Sequence, residues 1–458
     1  MNFNTAFAGE KKKLTLHIKE RLQRVQRRSI FPNTTVMGTY DFWSQVVILQ
    51  SLEEKDVMEL RAAFSKGDKS KSLVKAKKIF PLICHEQTHW LDNTTTLWGL
   101  ELINDIYSCY EIWAKENRTG IFNEQEYYHK KLLANTMNTI FFPEYYTTVT
   151  KVDNARPWHY SYSMGKLFSK EGKISSYPLF FTKFMNNAGE QIARQPFSLA
   201  SVLETSAMAQ EFAASVGLIL SMAQGDEIHI EQRLLQDEIL DTIYDPEFTV
   251  YSAAAHHVAN SFKLTDTLEA YRICAILSRF VLNFPGEMFR NINGNMIYGE
   301  DNVFSKGFEI AFYNKDRGVL FYFIVALLSK RYEGKAVTSN NVQKLLIEQL
   351  SQLGTNYDEL IAEVDIKIRY LAQKLADLKV QYLEDLAKSA VANHEKLGLF
   401  GRSIYPFDEL KMPGVLLGDD TFFSPTGSKD DSISDRYLAL DYFSDHIFSF
   451  SDACVSSL

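Results

Sequence analysis

LVKAKKIFPLICHEQTHWLD, residues 73–92, carries the pattern on which everything else turns. HEQTH at 85–89 separates two histidines by four residues, which on a helix puts both imidazoles on one face, one turn apart, where they can grip a single ion. Glu86 is rotated about a third of a turn from His85, so its carboxylate stands beside such an ion and can accept a proton from a water. The spacing therefore points to Zn2+ held by His85 and His89, with Glu86 as general base. With ten histidines in 458 residues, a chance HExxH is expected in on the order of one chain in a hundred. The flanks Phe80, Leu82, Ile83, Trp90 and Leu91 are apolar, and polar groups on a helix facing a core are costly unless paired or metallated.

A catalytic zinc needs a third protein ligand and one open position. SVLETSAMAQEFAA offers Glu204 on an otherwise small and apolar helix, with Glu211 seven residues on and on the same face. Asp105 and Glu111, at shorter range, and the His256–His257 pair are rival donors. Tyr251, in DPEFTVYSAAAHHVAN, is a candidate oxyanion donor, although a helical tyrosine is more often a core residue with a satisfied hydroxyl. His159 and Tyr160 have weaker claims. Glu86-x-x-His89 also fits half of a di-iron helical pair, but no second such pair lies on a suitable helix.

HEQTH followed by a helical glutamate resembles the zincin metallopeptidases, and within them the gluzincins, where two histidines and a glutamate hold zinc. More loosely, HEQTHWLDNTTTLWGL with LETSAMAQE is similar to bacterial HExxH proteins that pair the motif with a later LLEGxA-like helix. The resemblance covers about thirty positions, of which five form a specific motif. It implies a zincin-like core in which His85, His89 and Glu204 hold zinc and Glu86 is the base. Met208 stands where gluzincins carry an aspartate, and the interval before Glu204 is long. The third histidine of the metzincins is absent.

The body around the motif reads as mainly helical with a small β region, an α+β class. Phe42–Phe64 has mixed helical spacing and reads as a helix ending in SKGDKSKS. Pro81 marks the first turn of the motif helix or kinks it. Further helices are expected at 97–115 and 124–139. Tyr, Phe, Thr and Val dominate from about 145 to 184, with SKEGK as a turn, and this is the one convincing β segment. Helices resume at Ser198, a good N-cap. Residues 1–290 are thus expected to form the catalytic region and 291–458 a helical C-terminal region. Ile361, Val364, Ile368, Leu371, Leu375, Leu378, Tyr382 and Leu386 keep a 3,4 spacing that predicts one long helix, about 356–397 and about 60 Å in length. It could pair with another copy or a partner protein, though Leu360, Ile366 and Leu383 widen the stripe and favour packing on its own chain. The tail after Pro406, with GDDTFFSPTGSKDDS, reads as loop-rich.

Composition narrows the function classes. Apolar residues at 46% and charged residues at 23% indicate a folded chain with a sizeable core. A net charge of -8 argues against nucleic acid as a partner, since duplex binders need a basic excess. Basic residues do cluster at Lys11, Lys12, Lys13, Arg21, Arg24, Arg27 and Arg28, on a helical spacing that could touch an anionic surface, and again over 66–78. MNFNTAFAGEKKK lacks the long apolar core of a secretory signal, and the longest apolar run, Val319–Leu328, falls short of the ~20 residues of a membrane span. Cys84, Cys109, Cys274 and Cys454 lack CxxC spacing and suit reduced thiols, hence a cytoplasmic location. The expected function is a zinc metallopeptidase acting on a peptide or protein substrate. The alternative is a catalytically inactive zincin-like scaffold with a structural metal.

Overall fold

The computed structural model describes residues 37–65, 69–120, 124–140, 147–168, 172–424 and 432–456. The basic cluster at 11–28 lies outside them. In chain order the elements are β1 (Thr39–Asp41), β2 (Val46–Leu49), α1 (Glu54–Ser65), α2 (Lys69–Thr94), α3 (Leu97–Thr119) and α4 (Glu124–Ile140). Then come β3 (Thr148–Val149), β4 (His159–Phe168), β5 (Ile174–Met185), β6 (Gln191–Pro196), α5 (Leu199–Met222), α6 (Glu227–Ile243), α7 (Thr249–Phe262) and α8 (Thr267–Asn283). The last are α9 (Val303–Tyr313), α10 (Arg317–Arg331), α11 (Val342–Ile347), α12 (Tyr357–Ala376), α13 (Gln381–Leu397), β7 (Val415–Leu417), β8 (Phe422–Phe423) and α14 (Ile433–Ser456). Helices dominate and the sheets are small, which is an α+β composition. No helix among the described residues is long and apolar enough to cross a membrane.

Contacts divide the chain into two compact units. The first comprises the described parts of Met1–Asn138, Ile366–Lys396 and Pro406–Leu458. Its sheet has the order β1-β2-β7-β8, with β2 antiparallel to β1 and parallel to β7. Val46, Val47, Ile48 and Leu49 are buried on both faces, as a central strand requires. The helix expected over Phe42–Phe64 is therefore corrected: 46–49 is a strand, Gln45 turns the hairpin at φ 56°, and a helix starts only at Glu54. A four-residue apolar run has no period of its own, so its β-branched content and partners decide. Behind the sheet, Val46, Ile48 and Leu416 pack on Ile433 and Tyr437 of α14. The tail is accordingly not loop alone. Ile433, Tyr437, Leu440 and Ile447 supply a buried 3,4 stripe that builds a helix.

The second unit spans Thr139–Asp365 with Leu397–Tyr405. Its antiparallel sheet has the order β3-β6-β5-β4, so the β region extends beyond 184 through β6. Trp158, Phe184, Ile192 and Ala193 pack with Ala253 of α7. Around this sheet α5, α7, α8 and α10 form a helical layer; every residue of α8 from Ile273 to Asn283 is buried.

The long helix over 356–397 is replaced by α12 and α13. Leu378 N–H bonds to Leu375 O, Lys379 N–H to Ala376 O, and Lys379 adopts a left-handed φ of 55°. The buried positions supply the reason. They run Leu360, Val364, Ile368, Ala372, Leu375, then skip to Val380, Leu383, Leu386. Five residues turn a helix through about 500°, which would aim Val380 away from the stripe, so the chain must break to bury both sets.

Candidate metal centre

The motif helix runs unbroken through Pro81 and ends in a threonine corner. Thr94, Thr95 and Thr96 each donate a side-chain hydrogen bond to the carbonyl four residues back, at 2.7, 2.7 and 2.6 Å. Thr96 also caps α3, accepting from Gly99 N–H. A Cβ at Gly99 would lie 1.9 Å from the Asn93 carbonyl oxygen, so only glycine lets the two helices turn this tightly.

His85, Glu86 and His89 are all buried, at 7, 5 and 5% exposure. The two imidazole centroids stand 5.0 Å apart with their planes at 76°, one helical turn apart as the spacing requires. β1 lies along this turn. Tyr40 stacks on His89 at 6.5 Å, Phe42 tilts against it at 6.3 Å, and the Tyr40 hydroxyl donates to Asn93 Oδ1. Burial raises the Tyr40 pKa well above the usual phenol value, so this hydroxyl remains a donor throughout the neutral range. The signal for β1's role was absent from sequence, because it depends on which strand lies beside the helix.

Glu204 sits half-buried on α5 among the buried small and apolar side chains of Val202, Leu203, Thr205, Ser206 and Ala207. His85 and His89 belong to the first compact unit and Glu204 to the second. Two imidazoles and a carboxylate suit a borderline-soft divalent ion such as zinc.

Glu111 and Asp105 are exposed on α3, and Glu211 is half-buried two turns beyond Glu204. His256 and His257 turn to backbone carbonyls instead: His256 Nε2 lies 3.2 Å from Ile243 O, and His257 Nε2 lies 3.1 Å from Tyr322 O. The other nitrogen of His257 meets the Tyr162 hydroxyl. Burial lowers both pKa values, that of His257 to about 3. Tyr251 lies half-buried on α7 with its ring 5.8 Å from Phe248. Its backbone carbonyl accepts from the Tyr271 hydroxyl at 3.1 Å and from Thr205 at 3.3 Å. His159 is exposed, and Tyr160 is packed between Tyr162 and Phe184.

No family model matches the chain, and neither a curated protein nor a solved structure matches it.

Proposed function

We propose that the chain is a zinc-dependent metallopeptidase with a zincin-like centre, in which His85, His89 and Glu204 hold the ion and Glu86 is the general base. The observation that supports this reading is the pair of buried imidazoles of His85 and His89, their ring centroids 5.0 Å apart on one helical turn, with the buried Glu86 carboxylate between them in sequence. Zinc held by these residues would supply Lewis acidity toward the scissile carbonyl and toward the attacking water. Glu86 takes the proton from the attacking water and delivers it to the leaving amine, a role its burial favours by removing competing solvent. Tyr251 is the candidate donor to the developing oxyanion. Cys84, Cys109 and Cys274 are not in disulfides, which suits a reducing compartment.

A second reading, an inactive scaffold with a structural ion, draws on Ile366 and Tyr370, both exposed and one turn apart on α12, as a face for a partner or a second copy. One experiment separates the two. Purified full-length protein is analysed for metal by mass spectrometry and assayed on fluorescently labelled casein, alongside Glu86→Gln. Stoichiometric zinc with cleavage abolished in Glu86→Gln supports the peptidase. Zinc without cleavage supports the scaffold, and a zinc-free native protein removes both.

A further inference from the structure

Gly38 immediately precedes β1 and faces the motif helix. A Cβ built there would lie 2.9 Å from Glu86 Oε1, 3.0 Å from Glu86 Cγ and 3.1 Å from Leu82 Cδ1. The Gly38 backbone is not left-handed, so an L side chain meets no conformational objection. What such a side chain lacks is room. Two residues on, the same side of the strand presents Tyr40 to His89 and Asn93. Bare backbone thus lies against the carboxylate, and an aromatic ring against the neighbouring imidazole.

We infer that Gly38 is a positioning residue for Glu86, its bare backbone setting the direction in which the carboxylate points. The chemical meaning rests on the metallopeptidase reading; the geometry does not. A glutamate has three side-chain torsions, and a general base acts only when its oxygen is within hydrogen-bond reach of the proton it takes. Glu86 is 5% exposed, and just before β1 the Gly38 backbone packs against its carboxylate. The obstacle a methyl group would meet first is the end of a flexible side chain rather than backbone. Gly38→Ala should therefore leave strand and helix in place and swing the carboxylate aside.

The test compares full-length wild type, Gly38→Ala and Glu86→Gln for far-UV circular dichroism, Zn2+ affinity by competition with a chromophoric chelator, the visible absorption of the Co2+-loaded protein, and kcat and KM on labelled casein. In Gly38→Ala the fold and KM should be retained and Zn2+ affinity kept within about threefold, while the Co2+ band changes in the same sense as in Glu86→Gln and kcat falls about tenfold or more. A Co2+ band and kcat equal to wild type overturn the inference. So does a Gly38→Ala chain that fails to fold or loses metal affinity, because the strand would then have yielded instead of the carboxylate. Wild type that binds neither ion removes the metal reading itself. Wild type that binds both ions but leaves casein intact removes the peptidase reading, and the Co2+ band then decides the Gly38–Glu86 relation alone.

Discussion

The hydroxyl of Tyr40 donates a 2.7 Å hydrogen bond to Asn93 Oδ1, four residues beyond His89 on the same helix. The Asn93 amide in turn donates to Gly99 O at 3.3 Å, so one strand residue is linked through Asn93 to the corner that ends the motif helix. Tyr40→Phe keeps the ring over His89 and removes only the bond. Leaving a buried acceptor unmet should lower stability by about 1–2 kcal/mol, read as a lower midpoint in urea with an unchanged slope. A loss below a few tenths of a kcal/mol would mean that water replaces the hydroxyl.

Metal should stabilise the fold through its ligands only. Zinc at a hundredfold excess over its dissociation constant adds about 2.7 kcal/mol by mass action. Chelation by EDTA is expected to lower the melting temperature of wild type. His85→Ala and His89→Ala should lose the zinc-dependent increment, Glu204→Ala should lose most of it, and Glu211→Ala should retain it. Retention in Glu204→Ala would point to another third ligand.

Lys130 and Glu116 form an ion pair whose side chains are 5 and 4% exposed. Removing one partner strands a buried charge, so Lys130→Met alone should destabilise by about 3–5 kcal/mol. The double change Lys130→Met with Glu116→Leu should recover most of that. Urea titration of Lys130→Met, Glu116→Leu and the double variant forms the cycle, and equal losses in single and double variants would contradict the pairing.

Burial holds His257 neutral, with its pKa lowered to about 3, and lowers His256 in the same direction. Below the unfolded-state value of about 6.5 the unfolded chain binds protons that the folded chain refuses. The stability His257 contributes is therefore full above pH ~6.5 and falls as pH drops toward 3, by up to about 1.4 kcal/mol per pH unit, and His256 acts in the same direction. Urea midpoints between pH 7.5 and 5 should decline in wild type and decline less in His257→Gln.

How much of this could be read without coordinates follows the range of each interaction. The His85–His89 spacing is local and needs only helical geometry, and Glu204 stands out as an acid in a run of small and apolar residues. The strand at Val46–Leu49 was hidden because its run of four apolar residues has no period of its own and one of its two partners, β7, lies more than three hundred residues away. The break between α12 and α13 was masked by Leu378 and Tyr382, which extend the apolar spacing while the buried set shifts to Val380 and Leu383. Gly38 carries no signal at all in sequence, since its meaning lies in the carboxylate opposite.

The threonine corner has a consequence for how an ion would be received. With Thr94, Thr95 and Thr96 each tied to the preceding turn and Gly99 seated on Asn93, α2 and α3 form a stiff hairpin whose bend begins about one turn beyond His89. The two imidazoles therefore ride on a frame that is rigid before any ion arrives. Little chain entropy is left to lose on coordination, so binding to this pair should be fast and accompanied by almost no change in helical content.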